Sequence, residues 1–155
     1  MVRAVMFAAV LLFAASPAVA QYYNEAQLAK VKEVHVAVQD SVGDGCLPQP
    51  DALKVEAELI LRRAGIKVAP SWTPASHSLS IWGVGYAWGG GCTVVLIDEM
   101  FRFESLSDGT LGSVLAARFN SMWSGSKDRS QSQLRETVNE HVTALANEIL
   151  KARQK

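Results

Sequence analysis

The chain has 155 residues, 49% of them hydrophobic, with 15 basic and 15 acidic side chains and a formal charge of zero. That length favours one domain and is ample for one buried core. Nucleic-acid binding needs a basic stripe that neutralises phosphates; none is visible, so no nucleic-acid partner is expected.

Residues 1–20 read as a secretory signal rather than as part of the fold. Arg3 supplies the positive start, Ala4–Ala15 is an unbroken apolar run, Ser16-Pro17 breaks it, and Ala18-Val19-Ala20 has the small-x-small pattern of a cleavage site. The run is too short to span a bilayer as a helix. No cysteine follows the cut closely, the first being Cys46, which argues against a lipid anchor. Removing the segment takes away Arg3 and no acidic residue, leaving one more acidic than basic side chain. The expectation is an exported protein, periplasmic or secreted, with residues 21–155 as a single domain and no membrane span in its mature form.

Gln21–Lys30 is polar, with room for a turn or two of helix and Asn24 as its N-cap. Val31–Gln39 alternates, Val34, Val36 and Val38 pointing one way, and reads as a strand. Asp40–Gly45 is an acidic glycine-containing loop. Calcium or phosphate comes to mind, but its spacing matches neither an EF-hand nor a P-loop, and a solvated turn is the better reading. Pro50 suits the first position of a helix running to Ala64, with Asp51 near its positive end and Arg62 and Arg63 in its last turn. Its apolar face is Leu53, Ala57, Ile60 and Ala64, widened by Leu59. Gly65 is placed as a left-handed C-terminal residue, with Ile66 folding back. Ile66–Ala69 is a short edge strand stopped by Pro70. Trp72, in the following loop, either plugs a core edge or extends an aromatic surface.

Leu79–Phe103 organises the rest. It reads as two strands joined at Gly89-Gly90-Gly91. A two-residue turn at Gly89-Gly90 sets Gly83 opposite Leu96 and Gly85 opposite Val94, so that large residues fill the space the glycines leave. A three-residue turn would exchange the faces. The small face of Leu79–Trp88 (Leu79, Ile81, Gly83, Gly85, Ala87) predicts a helix packed closely over it. The other face carries Ser80, Trp82, Val84, Tyr86 and Trp88. Trp82, Tyr86 and Trp88 form either an exposed platform for a sugar ring, peptide or protein partner, or ordinary core under a second layer.

Glu104–Gly112 is a polar turn region. Val114–Trp123 alternates as a third meander strand, with Leu115, Ala117, Phe119, Ser121 and Trp123 on one face; a helix over Leu111–Phe119 is the competing reading. Ser130-x-x-Gln133 resembles a capping box. A final helix follows, with Leu134, Val138, Val142, Leu145 and Ile149 on one stripe and His141 on or beside it as a structural histidine. The element order is then β-α-β-β-β-β-α, an α+β fold whose mostly antiparallel sheet has two helices packed on one face.

Cys46 and Cys92 are the only cysteines. In an exported chain such a pair most simply forms one disulfide, here closing about 47 residues. Free thiols or a metal pair are the alternatives, although zinc needs four ligands and no CxxC is present. No cofactor or metal is expected. His35, His77 and His141 lie in different elements, and no HExxH, GxSxG or P-loop occurs. Asp98 and Glu99 are adjacent on a strand and cannot form one carboxylate dyad, though Asp98 could meet a histidine in space.

Leu61-Arg62-Arg63-Ala64-Gly65-Ile66, a strand hairpin, and Trp123 ahead of a terminal amphipathic helix together resemble small exported bacterial α+β proteins of uncharacterised function. The layout is loosely similar to the amino-terminal domain of TolB, a Tol-Pal component. The resemblance implies a fold and an exported location, and no residue role comes with it. The leading expectation is a non-enzymatic interaction or assembly module of the cell envelope with a protein partner. The alternative is a binding module for a small apolar or carbohydrate ligand at Trp82, Tyr86 and Trp88; a small hydrolase ranks third.

Overall fold

A computed structural model describes residues 20–43 and 45–155. Nearly all of the expected signal segment lies outside the described residues. The elements are β1 (Ala20–Tyr23), α1 (Glu25–Leu28), β2 (Glu33–Val42), α2 (Pro50–Arg63), β3 (Lys67–Val68), β4 (His77–Trp88), β5 (Gly91–Ser105), β6 (Leu111–Ser126) and α3 (Lys127–Ala152). They form one sheet of order β1-β6-β5-β4-β2-β3. The α+β class stands, but the sheet is mixed. β2 runs parallel to both β3 and β4, while β4–β5, β5–β6 and β1–β6 are antiparallel. Parallel pairing follows from the crossover through α2, which returns the chain to the end where β2 began. β1 was not expected; four residues give too short an alternation to read as a strand.

Local chemistry accounts for most boundaries. Asn24 Oδ1 accepts from the Gln27 amide at 3.3 Å, capping the single turn of α1. α2 starts with Pro50 in its first turn and ends where Gly65 takes φ +74°. There the Ile66 amide donates to the Leu61 carbonyl and the Gly65 amide to that of Arg62, the paired bonds of a Schellman ending. Gly89 and Gly90, with φ of +45° and +86°, make the two-residue turn. The resulting register sets Gly83 opposite Leu96 and Gly85 opposite Val94. Val114–Trp123 lies wholly within β6 and not in a helix.

One face of the sheet is core. Val34, Val36, Leu79, Ile81, Val94, Leu96, Met100 and Phe119 meet Leu53, Ala57, Ile60 and Leu61 of α2 and Leu134, Val138, Val142, Leu145 and Ile149 of α3. Each large side chain taken from water here contributes about 1.5–3 kcal/mol.

Four details depart from expectation. Leu59 is exposed, and the α2 face turns toward Leu61 instead. The register of β5 with β6 shifts between Met100 and Phe101. Leu115 therefore lies opposite Phe101 while Ala117 faces Met100, so a bulge at Ala116 takes Leu115 off the face of Ala117 and Phe119. Ser130 does not cap α3, which starts earlier, at Lys127; its hydroxyl donates to the Lys127 carbonyl at 2.8 Å inside the first turn.

The fourth concerns the strand glycines. A Cβ at Gly83 would meet Val42 and Leu47, and one at Gly85 would lie 2.3 Å from the Thr93 carbonyl oxygen. What closes over this part of the sheet is not a helix. It is the segment after β2, drawn down by the Cys46–Cys92 disulfide and filled by Leu47, which is buried. A bare backbone is needed because a loop and a neighbouring strand come this close.

Candidate functional site

The second face of the sheet is open. Cross-strand register places Trp82, Val84, Tyr86 and Trp88 of β4 on it beside Ile97, Val95, Thr93 and Gly91 of β5, with Met122 of β6 opposite Val95. Trp82 is 40% exposed, Tyr86 61% and Trp88 55%, and Met122 stands out further still. The three aromatic residues singled out from sequence thus share one face and are not core. Exposed large apolar side chains gathered on one face, rather than scattered singly, are a mark of a contact surface.

Two of the rings are held in place. The Trp88 indole Nε1 donates to Thr93 Oγ1 at 3.2 Å, and Thr93 Oγ1 lies 2.8 Å from Ser124 Oγ. The ring crosses Gly91, where any Cβ would stand 3.2 Å from its six-membered edge. Trp82 Nε1 donates to Ser41 Oγ on β2 at 3.2 Å. Each indole spends its donor on a neighbouring strand, which fixes the ring and leaves apolar surface toward solvent. Less ordering entropy is then lost when something lands on it.

The face is zoned along the strands. Near its middle Arg118 Nε and Glu99 Oε1 form an ion pair at 3.0 Å. Beyond it lie Phe101, Phe103 and Leu115, lining a shallow depression with Glu99 and Ser113. Trp72 packs edge-on against Phe103 at 5.8 Å and is 45% exposed, so it extends this apolar surface rather than plugging the core.

Behind the sheet, two residues named separately in the sequence come together. His141 Nδ1 of α3 lies 2.6 Å from Asp98 Oδ2 of β5, with both side chains almost fully buried. The imidazole stacks on Phe119 at 5.1 Å and 20°. Burial pushes the Asp98 carboxyl up from its ordinary value, and the hydrogen bond to His141 pulls against that. Neither spacing nor periodicity could have paired residues 43 apart on a strand and a helix. His35 and His77 stay apart from this pair, on β2 and β4. Cys46 and Cys92 are bonded, with their Cα atoms 5.8 Å apart. Among the described residues no three His, Cys, Asp or Glu side chains are grouped to hold a metal ion, and no helix is long and apolar enough to cross a membrane.

No protein-family model matches the chain, and no curated protein matches it. Solved structures do. A PelC dodecamer from Paraburkholderia phytofirmans is 18% identical with a TM-score of 0.51, the match covering 86% of this chain and 97% of that one. A point variant of the same dodecamer, solved in another space group, matches at 18% identity and a TM-score of 0.50 over the same shares. The rare lipoprotein B from Shewanella oneidensis is 10% identical with a TM-score of 0.31, over 79% of this chain and 93% of that one. The PelC likeness spans nearly the whole of both chains, and at this identity what it shows is a common fold.

Proposed function

We propose that this chain is an exported, non-enzymatic interaction and assembly module of the cell envelope, and that it works through the open sheet face around Trp82, Tyr86 and Trp88. The observation that carries this reading is the face itself, where three exposed aromatic residues, two with indoles fixed by hydrogen bonds, lie on a sheet whose other side already holds the core. The buried disulfide supports an oxidising compartment. That the PelC structures sharing this fold are dodecamers supports repeated contact between copies as the use of such a surface. Sedimentation velocity tests it. The unsubstituted chain associates as concentration rises, and the double variant Tyr86→Lys/Trp88→Lys, which sets like charges on the face, stays monomeric. Indistinguishable mass distributions for the two would remove this reading.

A second reading takes the same three residues as a platform for a small apolar or carbohydrate ligand. The flat seating of Trp88 over Gly91 favours it, since a sugar ring stacks on a fixed aromatic surface. Soluble oligosaccharides then change tryptophan fluorescence saturably, and Trp88→Ala abolishes the change; a linear, non-saturating response counts against it.

A further inference from the structure

Past Asn120, the residue opposite Ala20, β6 continues through Ser121, Met122 and Trp123. A cavity of about 250 Å³ opens there between β6 and α3, lined by Ser121, Trp123, Glu136, Thr137, Glu140 and His141 among others. It lies away from the three aromatic residues of the open face and is independent of the function proposed for them. His141 reaches it from a buried position, 3% exposed. The bond to Asp98 and the stacking on Phe119 fix the ring, so Nε2 cannot turn to seek another partner. Nε2 is buried without a hydrogen bond among the described residues, as is Asp98 Oδ1. A buried polar atom left this way is costly, and a partner entering the cavity would relieve it.

The lining specifies that partner. Among the described residues no lysine or arginine lines the cavity, whereas Glu136 and Glu140 do. Arg135, the basic residue nearest in sequence, is engaged by Glu56 at 3.0 Å. The field is therefore negative and repels anions. Trp123 adds an aromatic surface, favourable to a cation. A proton on Nδ1, between the ring and the Asp98 carboxylate, leaves Nε2 as an acceptor. The carboxylates of Glu136 and Glu140 accept too, while the donors in the lining are already used in part, Gln133 Nε2 on Glu136 at 3.1 Å and the Thr137 hydroxyl on the Gln133 carbonyl at 3.0 Å.

We propose that this cavity binds the primary ammonium group of a small organic ligand, with His141 Nε2 accepting one N–H, Glu136 and Glu140 balancing the charge, and Trp123 flanking the attached carbon chain. An ammonium carries three donors and no acceptor, which suits an imidazole nitrogen with two carboxylates near it.

The test is a titration of the ¹⁵N-labelled chain with n-butylammonium chloride, followed by the side-chain nitrogen resonances of its histidines. Tetramethylammonium chloride, which has the charge but no N–H, is the control. The expected result is a saturable shift of the His141 Nε2 resonance, with Kd on the order of 1 mM. Tetramethylammonium binds at least about tenfold more weakly for want of a hydrogen bond. The double variant Glu136→Gln/Glu140→Gln, at exposed rim positions that leave the core intact, weakens butylammonium about three- to tenfold. Equal binding of the two cations would reduce the cavity to a diffuse acidic surface and overturn the proposal. So would saturable binding that leaves His141 Nε2 unmoved, or no saturable binding at all.

Discussion

Opening the Cys46–Cys92 bridge gives a stability loss that can be worked out in advance. The cysteines are 46 positions apart, so the bond closes a loop of about 47 residues, and chain entropy assigns it about 4 kcal/mol. Small domains have only about 5–15 kcal/mol in total, so reduction removes a large share. Both side chains are fully buried, and Leu47 beside Cys46 closes over Gly83. Reduction keeps both sulfur atoms in place, whereas Cys46→Ala/Cys92→Ala also empties their volume and loses roughly 1 kcal/mol more. Urea unfolding of oxidised, reduced and doubly substituted protein separates the two effects. The midpoint falls in that order, and the slope steepens on reduction because the unfolded chain exposes more surface. A reduced protein within about 1 kcal/mol of the oxidised one would refute the loop-closure reasoning. Two reactive thiols in the oxidised protein would refute the bridge itself.

The two strand glycines differ sharply. Gly85→Ala places a methyl 2.3 Å from the Thr93 carbonyl oxygen and 2.9 Å from Val94 Cα, both backbone, and destabilises by about 2–3 kcal/mol or prevents folding. Gly83→Ala meets Val42 Cγ2 at 3.1 Å, a side chain that can shift, and costs about 1 kcal/mol; equal denaturation midpoints for the two variants would contradict this account. His77 supplies a pH dependence. Burial, reinforced by the charge of Arg102, pushes its pKa down to about 4 from 6.5. The folded state then holds fewer protons than the unfolded one between those values, so stability is complete above about 6.5 and is lost as pH falls toward 4. The slope approaches about 1.4 kcal/mol per pH unit, and His77→Asn flattens it; a variant with an unchanged slope would move the effect to another group.

What lies close along the chain was legible without coordinates. Positive-φ glycines at 65, 89 and 90 announce a helix end and a hairpin because side chains elsewhere rarely adopt that conformation. Alternation over Val34–Val38 and Leu79–Trp88 placed the right residues on the right faces, since a strand repeats every two residues wherever it lies. The lone cysteine pair, in a chain opening on a signal-like segment, was enough to expect the bridge.

Other features depended on where distant segments met. Whether Trp82, Tyr86 and Trp88 face solvent or a second layer turns on which side α2 and α3 choose, and alternation is the same in both cases. The bulge at Ala116 interrupts that alternation and moved Leu115 to the open face, a shift that only pairing with β5 reveals. A loop rather than a helix covers Gly83 because a disulfide drags it there. Asp98 and His141 meet because β5 and α3 pack against each other in the core, and the desolvation that couples them arises only from that burial. Local periodicity is a property of a few neighbouring residues and survives in the bare sequence. Burial and proximity are properties of the closed fold, so the coordinates alone decided them.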